Sequence, residues 1–269
     1  MRSTSNPAFR NLPQGGFGGG YAGFQTQPQA NMPGYGGYQA PPTTGERPMT
    51  VDDVVTKTAL TLGLALVTGI ITAMAVLSGA ISPFPPMIIG LIVGLVLALV
   101  IIFKQLPKPG LVLSYSAAEG VFLGAITGVF ESLVEGIALQ AILGTALVFV
   151  VMLVVYKTGA VRVTPKLTKW IIGAIAGAAV LMLVNLVAGF FMQGGLGLRE
   201  AGPLGIGFSL LCIGIAAFSF LLDFDAADKA IRGGVDAKFA WYIAFGLMTT
   251  LVWLYLEMLR LLSYFSSSD

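Results

Sequence analysis

Residues 87–103, MIIGLIVGLVLALVIIF, run for seventeen positions without one polar or charged side chain. As a helix this stretch covers about 25 Å, close to the ~30 Å hydrocarbon core of a bilayer, and no half-buried strand or amphipathic surface helix is so uniformly apolar. Working outward, comparable segments occur at approximately 58–79, 111–130, 138–156, 169–192, 203–222 and 239–263. Breakers separate them: Pro83, Pro85 and Pro86, then Pro107 and Pro109, Pro165, and GGLGLREAGP at 194–203. The expected fold is therefore all-α, a polytopic membrane protein whose seven transmembrane helices occupy residues 51–265, with a short external tail at 266–269.

The whole chain agrees. Of 269 residues, 56% are hydrophobic and 10% charged, against about 25% charged in a soluble domain. Mean hydropathy is +0.85. Residues 1–50 differ, being rich in Gly, Gln and Pro with spaced aromatics in GGFGGGYAGFQTQ and MPGYGGYQAPP. Too little aliphatic surface is present to offset chain entropy, so a disordered cytoplasmic arm is expected. A basic segment followed by a short apolar one is missing from the start, so the first span is expected to serve as an uncleaved anchor.

Charge sets the orientation. Cytoplasmic loops retain Lys and Arg, and with the N-terminus inside, thirteen of the fifteen basic residues fall on the cytoplasmic side, leaving Arg199 and Arg260 outside. The expectation is a multi-pass protein of the cell membrane with the C-terminus outside. Gly120, Gly124 and Gly128 recur every fourth residue in the third span, Gly90 and Gly94 in the second, and Gly173 and Gly177 in the fifth. Such faces let helices approach closely, within the bundle or between copies in a homo-oligomer.

Histidine is absent and Cys212 is the single cysteine. Histidine-dependent catalysis, histidine metal sites and disulfide bonding within the chain are excluded. A net charge of +2 gives no reason to expect nucleic acid. No phosphate-binding GxxxxGK[ST] loop and no catalytic constellation occur, so neither an enzyme nor a bound cofactor is expected.

Acids within spans are the functional candidates, because an ionisable group in hydrocarbon is costly unless it meets a partner or water. Glu119 lies about 12 Å into the third span. Asp223, Asp225 and Asp228 close the sixth in LLDFDAADKAI, and two aspartates at a helix C-terminus oppose its dipole. Glu257 in the seventh has Arg260 at i+3, while Glu131 and Glu135 mark the outer end of the third. Glu119, Asp223 and Asp225 suggest a cation or proton site. Carboxylate oxygens suit Ca2+, and two carboxylates brought together would not both ionise cheaply, which makes a pH-dependent latch. A small-solute transporter and a non-transporting scaffold acting through the arm are the competing readings.

The seven-span layout, YSAAEGVFLGAITGVFE, LLDFDAADKAI and WYIAFGLMTTLVWLYLEMLRLL resemble the Bax inhibitor-1 family in its actinobacterial form, over roughly residues 48–263. That resemblance implies a pH-sensitive Ca2+ leak controlled by a pair of aspartates on the last two helices. The sixth-helix member is Asp223 or Asp225. Matching LYLE to the family's LYLD places the seventh-helix member at Glu257, whereas an ungapped match from WYIAF places an aliphatic near Leu251 there. Relatives tend to carry an acid where Ala240 stands, and some an arginine in the second helix that this chain lacks. The latch is then expected to be altered or missing, with Glu119 as a candidate substitute partner.

Overall fold

Proline sets most of the helix starts. The structure, a computed structural model, describes residues 47–192 and 194–266, so the arm expected before residue 47 and the last three residues of the tail lie outside it. Seven helices follow: α1 Val51–Leu77, α2 Phe84–Lys104, α3 Pro109–Leu133, α4 Ile137–Thr158, α5 Pro165–Gly189, α6 Pro203–Arg232 and α7 Ala240–Ser266, the last preceded by a 3-10 turn at Ala237–Phe239. A proline stands in the first turn of α2, α3, α5 and α6, where its missing N–H costs no hydrogen bond and its φ suits a helix. All seven helices are long and apolar enough to cross a bilayer.

α1 begins seven residues before the expected apolar boundary because Thr50 and Asp53 form a reciprocal capping box. Arg47 adds two hydrogen bonds of 2.7 Å to the same Asp53 carboxylate. The extended segment leading in makes an isolated antiparallel bridge, Pro48 with Asp236, to the α6–α7 turn: Met49 N–H donates to Val235 O at 2.8 Å and Ala237 N–H to Arg47 O at 3.0 Å. Lys57 donates from α1 to the Ala237 carbonyl. Met49 itself is buried among Phe220, Phe224 and Leu247.

The largest difference from the sequence reading is α6, which continues ten residues past the expected end at 222 to Arg232. Its polar last turns are held by i,i+4 pairs, Asp225 with Lys229 at 2.6 Å and Asp228 with Arg232 at 3.0 Å. Asp223, Asp225 and Asp228 thus lie within a helix rather than at its C-terminus, and the expected conflict with the helix dipole does not arise at Asp223. At the other boundaries, α5 stops three residues early at Gly189 and α7 runs three residues on to Ser266.

Close backbone contacts organise the bundle. A side chain at Gly124 would run into the backbone of Gly69 on α1, and one at Gly120 into Ala65 and Thr68. A methyl group on Gly90 would stand 2.8 Å from the Phe122 nitrogen. The glycine faces of α2 and α3 are therefore used within the chain, α3 against α1 and α2 against α3. Gly173 and Gly177 differ, for nothing lies within 4 Å of where their side chains would be. α7 contacts α1, α3, α4 and α6, while α2 packs on α3 and α5 on α6.

Replacing Gly124 by valine is expected to destabilise the protein by about 3 kcal/mol or more, since the clash is with backbone. Gly173→Ala should stay within about 0.5 kcal/mol. Thermal melts of both variants, purified in one mild detergent, check the contrast.

Candidate functional site

The antiparallel pair α6 and α7 brings two interior polar groups to one depth. Asp223 lies nine residues before the end of α6 and Thr250 ten residues after the start of α7, so each is about 15 Å from the same end of the bundle. There Thr250 Oγ1 donates to Asp223 Oδ2 at 2.7 Å. Asp223 is partly buried, and this is its only hydrogen bond among the described residues. Hydrocarbon forces such a pairing, because an unsatisfied polar group there costs several kcal/mol.

Asp225 and Asp228 belong to a different environment. Residues two apart on a helix point to opposite sides, and the Asp225 carboxylate turns to Lys229 while Asp228 is gripped by Arg232. Both basic partners are largely exposed, at 72% and 78%, which marks a solvated helix end.

Glu119 lies ten residues into α3, also about 15 Å from its start. Its carboxylate rests in space left by a glycine: a methyl group on Gly94 of α2 would stand 3.1 Å from Glu119 Oε1. One turn earlier on α3, Tyr115 interacts with the Glu119 carboxyl. The Tyr115 hydroxyl lies 3.4 Å from Thr249 Oγ1 on α7. The adjacent threonines of α7 thus face two acid-bearing helices, Thr249 by way of Tyr115 toward Glu119 on α3, and Thr250 directly to Asp223 on α6.

Glu257 does not meet Asp223. It stands seven residues beyond Thr250, about 10 Å further along α7, is 1% exposed, and is bonded to Arg260 at 2.7 Å and Ser209 at 3.2 Å. The pairing with Arg260 at i+3 is as expected from the sequence; a di-acid latch between Glu257 and Asp223 is not formed. Glu131 caps α4, accepting from Gly136 N–H at 2.7 Å and Ala138 N–H at 2.9 Å. Glu135 is not on the third helix, which ends at Leu133, but exposed in the turn that follows.

No group of three acidic, histidine or cysteine ligands is gathered for a metal among the described residues. Asp223, Asp225 and Glu119 face different neighbours, so a Ca2+ ion at any one of them would need hydroxyl, carbonyl and water oxygens to complete six or more ligands. A cavity of about 380 Å3 lies between α1, α3, α4 and α7, with Thr127, Thr145 and Tyr255 as its hydroxyl-bearing walls, and none of the acids lines it. Sequence reasoning missed Thr250, Thr249, Tyr115 and Ser209. The one available signal was the adjacent hydroxyl pair in the apolar middle of WYIAFGLMTTLVWLY.

The sequence model of the family described as Bax inhibitor 1 like matches residues 6–267, nearly the whole chain. No match to the chain was found among curated proteins.

Breaking the buried pair by Arg260→Met alone should cost about 3–5 kcal/mol, because it strands the Glu257 carboxylate. Combining it with Glu257→Leu should recover most of that loss. Melting temperatures of the single and double variants measure the difference.

Proposed function

The chain belongs to the Bax inhibitor 1 like family, and from that premise we propose that it is a cation leak, passing Ca2+ or protons across the cell membrane, with Asp223 as its gate. Arg47 and the other basic ends face the cytoplasm, and the C-terminus lies outside. The observation that carries this reading is a carboxylate deep in an apolar bundle whose hydrogen-bond partner is a hydroxyl and not a cation. A structural acid in hydrocarbon is normally neutralised by a basic residue, as Glu257 is by Arg260. Asp223 and Glu119 make no such pair among the described residues, so their charge remains available to a passing ion.

In the described conformation the gate is closed. Thr250 caps Asp223 at 2.7 Å, and neither acid lines the cavity beside α7. Opening separates α7 from α6 at Thr250 and turns the Asp223 carboxylate toward water. One hydrogen bond is lost in that movement, roughly 1 kcal/mol and somewhat more for a charged acceptor, which a bound cation offsets. Acidification adds a proton to Asp223, removes the charge that attracts the ion, and so lowers flux. Because the partner is a threonine, the gate titrates as a single acid and not as a coupled pair.

Ca2+ flux into proteoliposomes measured from pH 6 to pH 8 tests this. Flux should fall as pH falls, with a slope of about one proton. Asp223→Asn should abolish the pH response, Glu119→Gln should reduce flux, and Asp225→Asn should leave both near wild type. Unchanged flux and pH response in both Asp223→Asn and Glu119→Gln would overturn the reading.

A further inference from the structure

The two basic residues at the other end of the bundle stand over a second cleft, which the proposed leak does not use. Its walls are the start of α2, the last turns of α3 and the last turns of α7, represented by Phe84, Phe122, Phe130 and Leu256, with Arg199 and Arg260 also among its lining residues. The cavity measures about 380 Å3. From Phe122 to Phe130 it follows α3 for about 12 Å. Phe84 is 64% exposed, so the apolar wall opens outward to the lipid.

Among the described residues that line it, the two arginines are the only charged ones. Arg260 is committed to Glu257 through one nitrogen at 2.7 Å. Arg199, on the α5–α6 loop, makes no ion pair among the described residues; one of its nitrogens rests 3.1 Å from the Met182 sulfur. It is near enough to Arg260 and Glu257 to interact electrostatically with both. Two guanidinium groups therefore lie near one carboxylate, and only Arg260 is bonded to it. Glu200, the next acid in the loop, turns toward Gly194. Arg260 is six residues, about 9 Å, from the end of α7, a depth from which an arginine side chain can reach the headgroup layer.

We propose that this cleft holds one anionic phospholipid, its phosphate between Arg199 and Arg260 and one acyl chain along the aromatic wall of α3. Planar guanidinium groups bind phosphate oxygens through paired N–H donors, which a lysine pair would not reproduce. A lipid supplies both an anion and a chain for the apolar cleft. A free phosphate satisfies only the first requirement and a neutral lipid chiefly the second.

The test uses the purified full chain in a neutral detergent, melted with added phosphatidylglycerol, phosphatidylcholine or inorganic phosphate, with retained lipid counted by native mass spectrometry. Phosphatidylglycerol should raise the melting temperature and stay bound, and the other two additions should not. Arg199→Gln should cut the preference for phosphatidylglycerol over phosphatidylcholine about fivefold, the effect of one arginine at an anionic surface. Leu256→Trp, which fills the cleft and leaves both arginines in place, should reduce retention of phosphatidylglycerol; it carries the test if Arg199→Gln does not fold. Equal retention of the two lipids, an equal shift with inorganic phosphate alone, or wild-type lipid preference in the variants that fold would overturn the proposal.

Discussion

A carboxylate inside hydrocarbon must find a hydrogen-bond donor, and in this protein the donor to Asp223 is the Thr250 hydroxyl. The rest of the interior follows the same constraint. Ser209 reaches Glu257 at 3.2 Å, Thr127 meets Tyr255 at 2.8 Å, and Tyr115 lies 3.4 Å from Thr249. Each of these contacts has one end on α7. The last helix is therefore the element through which the polar groups of α3 and α6 are satisfied, and it touches four other helices to do so. Two carboxylates reach this seam on different terms: Glu257 is paired with Arg260, whereas Asp223 has a hydroxyl as its one hydrogen-bond partner among the described residues.

That arrangement depends on the glycines as much as on the acids. Gly120 and Gly124 bring α3 against α1, and Gly94 leaves room for the Glu119 carboxylate beside α2. Small residues in membrane helices commonly serve such close approach. Here one of them also makes space for a polar side chain.

The seven helices were legible because hydropathy and proline report directly on length and start. The end of α6 was not, since an apolar window closes at residue 222 while the helix is carried on by ion pairs at Asp225 and Asp228 that leave the average hydropathy low. The error mattered: with α6 ending early, Asp223 belonged to the membrane surface and no residue of α7 at interior depth could reach it. In the extended helix Asp223 stands nine residues, about 14 Å, before the end of α6 and opposite Thr250. Glu257 was legible as half of a local pair through its i+3 spacing to Arg260, but its bond to Ser209 joins residues 48 apart and follows only from how α6 and α7 cross. Thr250 carried no sequence signal beyond an adjacent threonine, because a hydroxyl inside a membrane helix is most often bonded to its own preceding turn.

The extended segment at residues 47–49 couples the entry to α1 with the turn between α6 and α7. Its backbone is bonded to Val235 and Ala237, and Met49 shares a buried cluster with Phe220 and Phe224, which lie on either side of Asp223 in the sequence of α6. Tension on the chain before Arg47 is thus borne not by α1 alone but by the turn that joins α6 to α7. The hairpin carrying the proposed gate is anchored at its base to the segment that enters α1.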